Sequence, residues 1–84
     1  GALGQGGMLG MYGLSDKRLK QNIIKIGKTK EDIGIYIWKW KEFAKKIVGD
    51  VPNIGVIAQE VMRIKPEAVI IGNDGYLRVN YSLI

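Results

Sequence analysis

Between Ser15 and Lys20 the chain reads Ser-Asp-Lys-Arg-Leu-Lys, which puts a hydroxyl, a carboxylate and three cations into six residues. Hydroxyl, carboxylate and amine chemistry is also what the rest of the composition leaves open. With no cysteine and no histidine among 84 residues, disulfides, thiolate metal sites and imidazole as ligand or general base are excluded. The carboxylates are scattered singly apart from Glu31-Asp32 and lack calcium-loop spacing, so neither a metal nor any other cofactor is expected. Read alone, Ser15-Asp16 is an ordinary helix N-cap and first-turn pair. Gln59 is the other polar residue singled out, because it stands between Ala58 and Glu60-Val61 at the start of an apolar-faced segment.

The elements that must position these groups can be read from pattern. Residues 1–14 carry six glycines and no charge, and the composition changes abruptly at Ser15. Such a segment cannot hold a helix, and its interspersed Leu3, Met8, Leu9, Met11, Tyr12 and Leu14 favour an extended arm over a free linker. One short helical turn is expected from Ser15, followed by Ile23-Ile24-Lys25-Ile26 and a polar loop from Gly27 to Asp32. Alternation over Gly34 to Lys41 predicts a strand with Trp38 and Trp40 on one face, in the core or at a subunit interface. Glu42 to Val48 fits either a continued strand or a short helix. Ile54 to Ile57 reads as buried, and a helix follows from Ala58 with Ile57, Val61 and Ile64 on one side, ended by Pro66. Glu67 to Ile71 and Tyr76 to Tyr81 flank Gly72-Asn-Asp-Gly75, a hairpin signal. The expected fold is a small single α+β domain of β-hairpins and short helices over 15–84, preceded by a glycine-rich arm over 1–14.

Charge is less informative than it first looks. Of the thirteen basic residues behind the formal net charge of +5, ten fall between Lys17 and Lys46, interleaved with Tyr36, Trp38, Trp40 and Phe43. A nucleic-acid surface has that look, but lysines alternating with aromatics are also the solvent face of a strand, and no nucleic-acid partner is expected. No run approaches the roughly 18 apolar residues of a spanning helix, and no membrane partner is expected. The first residue is not methionine, as in a piece of a longer chain.

Four blocks occur in a telling order: Ser-Asp-x-Arg-x-Lys at 15–20, Gly55-Val-Ile-Ala-Gln-Glu-Val61, Pro66-Glu-Ala-Val69, and Asp74-Gly-Tyr with Tyr81-Ser82. Together they resemble the endosialidase-type intramolecular chaperone and auto-processing domain of phage tail spikes and tail fibres. The resemblance spans Ser15 to the end. It implies that Ser15 is a nucleophile that attacks the carbonyl of Leu14, that Lys20 takes its proton, and that the Leu14-Ser15 bond is cut once per molecule.

That chemistry is physically reasonable. A serine hydroxyl is a poor nucleophile until a base removes its proton, and an unperturbed lysine is neutral only about once in a thousand at neutral pH, so burial or adjacent cations must depress its pKa. Five residues along an ideal helix leave the two side chains roughly 140° apart, so Ser15 must stand outside the helix. An N-cap position achieves this, and the N–H groups of the first turn would then hold an oxyanion. Gln59 is expected either to orient the scissile peptide or to satisfy buried backbone groups, and Arg18 to pair with Asp16, Glu60 or Asp74.

The resemblance also implies an assembly role in a phage structural protein, a virion component made in the bacterial host. Such domains bring three chains together, promote folding of an upstream β-rich stalk and release themselves by cleavage. The expected partners are further copies of this chain, as a homotrimer, and other phage structural subunits. Many relatives continue past the equivalent of Tyr81-Ser-Leu-Ile84 into a long helix, so a trimer here would use the globular domain and the arm. A non-cleaving cap that stays in the particle and docks onto another subunit is the alternative.

Overall fold

The computed structural model describes residues 12–84, and the arm expected over 1–14 lies outside it except for its last three residues. Those three, Tyr12–Leu14, form strand β1. The remaining elements are β2 (Lys20–Lys28), β3 (Gly34–Trp40), α1 (Glu42–Val48), β4 (Ile54–Gly55), α2 (Ala58–Ile64), β5 (Val69–Ile71) and β6 (Leu77–Asn80). Single 3-10 turns occur at Lys17–Leu19, Pro66–Ala68 and Tyr81–Leu83. The α+β class expected from sequence is the class observed.

There are two three-stranded antiparallel sheets, in the orders β1-β6-β5 and β2-β3-β4. The first contains the Gly72–Gly75 hairpin, closed by Gly72 N–H donating to the Tyr76 carbonyl at 2.9 Å. Gly75 takes a φ of +84°, and Asp74 accepts the Tyr76 N–H at 3.0 Å, the short-range chemistry that makes Asn-Asp-Gly a turn. In the second sheet Thr29 shapes the β2–β3 turn, its hydroxyl accepting the Ile33 N–H at 3.3 Å. Ile33, Val56, Ala58, Val61, Ala68, Leu77 and Val79 form the buried core, against which Val69, Tyr81 and Ile84 pack. No helix among the described residues is long and apolar enough to cross a membrane.

Several sequence expectations are corrected. The single turn expected after Ser15 is present at Lys17–Leu19, but Lys20 opens a nine-residue strand that takes in Gly27 and Lys28, expected in a loop. Ile23, Ile24 and Ile26 favour extended backbone, and pairing along β3 overrides the weak helix propensity of Lys17 to Asn22. Glu42 to Val48 resolves as a helix, with Gly49 at its C-cap in positive φ. Ile54, expected to be buried, is 44% exposed, and Ile64, expected on one side of the helix with Ile57 and Val61, is 43% exposed. β4 is a two-residue edge strand, and α2 rolls away from the core at its last turn. Glu67 and Ala68 belong to a 3-10 turn, because Pro66 opens that turn and β5 begins only at Val69.

Candidate active site

Ser15 and Asp16 follow directly on β1 and are both fully buried, and Lys20 is 3% exposed. The Ser15 N–H donates to the Leu77 carbonyl at 3.2 Å, and the Ser15 carbonyl accepts the Ala58 N–H at 2.8 Å. Both ends of this residue are therefore gripped, one by β6 and the other by the start of α2. Leu14, on the far side of the predicted cut, is half-buried and pairs with Arg78 across the β1–β6 ladder. The Leu14-Ser15 peptide thus sits where strand pairing ends, fixed by the sheet on both sides.

The N-cap of the 3-10 turn is Asp16 rather than Ser15. Its carboxylate accepts from the Arg18 backbone N–H at 2.9 Å and from the Arg18 guanidinium at 2.7 and 3.0 Å. It also accepts from the Leu77 N–H at 3.0 Å and from Gln59 Nε2 at 2.8 Å. Burial alone pushes this carboxyl up, but the donors, with Arg18 and Leu77 foremost, together hold it well below the ordinary carboxylate range. Asp16 therefore stays ionised and locks three chain segments together. Of the partners expected for Arg18, the structure selects Asp16, and the guanidinium also lies 4.9 Å from the Tyr76 ring centre.

This placement changes the oxyanion expectation. The Lys17 N–H donates to Gln59 Oε1 at 2.9 Å, the Arg18 N–H to Asp16, and the Leu19 N–H to the Asp16 carbonyl at 3.2 Å. The first-turn donors are all engaged within the fold. Gln59 spends both ends of its amide on Asp16 and Lys17, clamping α2 onto the Ser15–Lys20 segment.

Lys20 reaches back from the first position of β2. Its Nζ donates to the carbonyl of Ser15 and to that of Val56, each at 2.9 Å, and lies 3.8 Å from the Trp38 ring centre. Burial lowers its pKa from 10.5 to about 7, with the Asp16 carboxylate acting weakly in the opposite sense. Burial thus favours the neutral amine, which is the state a general base needs. Trp38 is nearly buried and meets Trp40 edge to face at 5.3 Å, so the tryptophans wall this corner of the fold.

The Ser15 hydroxyl itself meets Tyr81, at 2.6 Å from Oγ to the phenol oxygen. Sequence reasoning placed Tyr81 in a motif without assigning it a role. A usable signal lay in the glycines that flank its ring. A side chain at Gly55 would bring its Cβ to 2.8 Å from the Tyr81 hydroxyl, and one at Gly13 would meet the ring at 3.0 Å. Gly55 also has a φ of +153°, which other residues rarely adopt. The glycine opening the Gly-Val-Ile-Ala-Gln-Glu-Val block is there to let Tyr81 reach Ser15. Trp38 beneath Lys20 was likewise missed as a site residue. No cluster of potential metal ligands occurs among the described residues.

Residues 15–70 match the family model described as chaperone of endosialidase, Peptidase S74, over more than half of the chain and starting at Ser15. The chain belongs to the chaperone-of-endosialidase family. The match takes in Ser15, Asp16, Lys20 and Gln59 and ends in β5, before the strand and turn that carry Leu77 and Tyr81. No curated protein and no solved structure matches the chain. The family domain therefore stands here with Ser15, Asp16, Leu19 and Lys20 buried and Lys17 and Arg18 exposed.

Proposed function

We propose that this chaperone-of-endosialidase domain assists assembly of a phage structural protein and then detaches by cutting its own chain between Leu14 and Ser15. The observation that carries the reading is Lys20: a buried amine, lowered to about 7, folded back onto the residue that would be the nucleophile. A buried lysine with no acid partner is costly to stability, which argues for a chemical use.

In the proposed reaction neutral Lys20 exchanges a carbonyl contact for the Ser15 hydroxyl and takes its proton. Ser15 Oγ bonds to the Leu14 carbonyl carbon, and the C–N bond to Ser15 breaks. The Ser15 nitrogen receives the proton back from Lys20 and becomes a new amino terminus. This leaves an ester between the Leu14 acyl group and Ser15 Oγ. Water hydrolyses it to a Leu14 carboxylate and restores the hydroxyl, so the net change is addition of one water across one peptide bond. A single turnover tolerates a modest rate, since each 1.36 kcal/mol of lost barrier reduction costs only tenfold in time.

Assembly is supported by the second sheet. Ile24 pairs with Ile37 and Ile37 with Ile54, so the three form one cross-strand row, 57%, 37% and 44% exposed. Tyr36, on the opposite face of β3, bonds Glu60 of α2, so the isoleucine row faces away from the domain. An aliphatic row of this kind suits contact with further copies of the chain, as a homotrimer, and with other phage structural subunits.

The test is a longer chain carrying its native upstream residues, compared as wild type, Ser15→Ala and Lys20→Ala by intact mass. The wild type is expected to yield a fragment beginning at Ser15 and both variants to stay whole. A wild type that remains whole while it assembles overturns the cleavage reading. It would favour a retained, non-cleaving cap.

A further inference from the structure

We infer that Tyr81 is a third catalytic residue of the self-cleavage, donating a hydrogen bond to Ser15 Oγ that stabilises the oxygen as it loses its proton. The inference rests on the cleavage reading above and adds to it a residue that lies beyond the segment matched to the family.

Two observations carry it. The Ser15 hydroxyl has one hydrogen-bond partner among the described residues, Tyr81 at 2.6 Å, a short separation for two hydroxyls. Lys20 Nζ is held instead on the carbonyls of Ser15 and Val56, so the phenol is the polar group already at the nucleophile. Either hydroxyl of this pair can donate, and the inferred arrangement points the phenol's proton at Ser15 Oγ. Burial raises the pKa of Tyr81, so the phenol remains a neutral donor throughout the neutral range.

The direction of this bond matters. A serine that receives a hydrogen bond from Tyr81 keeps its own proton free for Lys20, and negative charge developing on Oγ is met by a donor already in place. The proton count is simple. Ser15 gives its proton to Lys20, Tyr81 keeps its own, and the phenol's bond strengthens as Oγ becomes anionic. Gly55 and Gly13 leave room for the ring on both sides, which fixes the phenol without a side chain that could displace it.

The experiment compares the longer chain as wild type, Ser15→Ala, Tyr81→Phe and a chain with 3-fluorotyrosine placed at position 81 alone, following cleavage by intact mass from pH 6 to 8. Tyr81→Phe is expected to cut on the order of 10- to 100-fold more slowly, with the midpoint of the pH profile unmoved, because Lys20 is untouched. Fluorotyrosine, a more acidic donor of nearly the same size, is expected to cut faster than wild type. If wild type and Tyr81→Phe cut at the same rate, or the rate ignores the phenol's acidity, the inference about Tyr81 fails and the Ser15 reading stands. A slow Tyr81→Phe whose pH midpoint also moves points to disturbance of Lys20 and likewise overturns it. Should Tyr81→Phe fail to fold, the fluorotyrosine arm decides alone. A wild type that stays whole defeats the cleavage reading and this inference together.

Discussion

The Asp16 carboxylate accepts the backbone N–H of Leu77 at 3.0 Å, a bond that joins the beginning of the Ser15–Lys20 segment to strand β6, 61 positions later. Arg18 and Gln59 complete the shell around the same two oxygens. The residue beside Ser15 is thus the point at which β1, α2 and the last hairpin are fastened together.

Removing that carboxylate should be severe. Asp16→Ala leaves the Leu77 N–H and the Gln59 amide without their acceptor and is expected to destabilise the fold by about 3 kcal/mol, read from urea unfolding at pH 7. The carboxyl's pKa lies below its ordinary 3.8 in the folded state, so its contribution is full above that value and fades as pH falls toward the folded pKa. The gap between wild type and Asp16→Ala should therefore narrow below about pH 4.

Lys20 has the opposite linkage. Its folded pKa is lowered from 10.5 to about 7, so the unfolded chain binds more protons between those values, and this group's destabilising effect is full below pH 7 and relieved toward pH 10.5. Wild-type stability is expected to rise with pH across that window. Lys20→Met, which keeps the packing against Trp38, should abolish cleavage, lack the slope, and unfold at higher urea at pH 6 by up to about 2 kcal/mol. Urea midpoints from pH 6 to 10 measure both. A flat wild-type profile would contradict the buried amine.

Gly55→Ala tests the space around Tyr81. The substitution forces a side chain into a φ of +153° and 2.8 Å from the Tyr81 hydroxyl. A loss of about 1–3 kcal/mol in unfolding free energy is expected, together with slower cleavage of the longer chain. Slower cleavage in the fraction shown to be folded by near-ultraviolet circular dichroism separates the two effects.

Much of the scaffold was legible because local rules and tertiary packing agree there. The Asn73-Asp74-Gly75 turn, the Pro66 stop after α2 and the aromatic alternation of β3 each show a strong short-range signal. Lys20 to Lys28 misled because helix propensity in Lys17 to Asn22 is weak, and only pairing with β3 decides the strand. The resemblance pointed to Ser15 and Lys20, and the structure buries both. Tyr81 stayed invisible as a partner because a contact across 66 positions leaves no periodic trace in sequence. The clue was indirect, in the glycines that make room for it.

The isoleucine row on the second sheet gives an assembly prediction. Ile24→Lys with Ile37→Lys should leave the monomer's unfolding midpoint within about 0.5 kcal/mol of wild type, since both side chains are exposed. The same pair should lower the mass measured by light scattering at a concentration where wild type associates. Unchanged mass would remove the second sheet from the interface.

The 66 positions between Ser15 and Tyr81 also set an order of events during protein synthesis. Ser15 leaves the ribosome well before Tyr81 is translated, and until Tyr81 arrives the serine has neither its hydroxyl partner nor the Leu77 carbonyl that holds its N–H. On the proposed cleavage reading, a nascent chain bearing the Ser15–Lys20 segment is expected to be inert toward its own backbone. Truncated products lacking the last residues would remain uncut and stay attached to whatever precedes them. The reach from one end of the domain to the other would, on that reading, make completion of the chain a condition for the proposed cut.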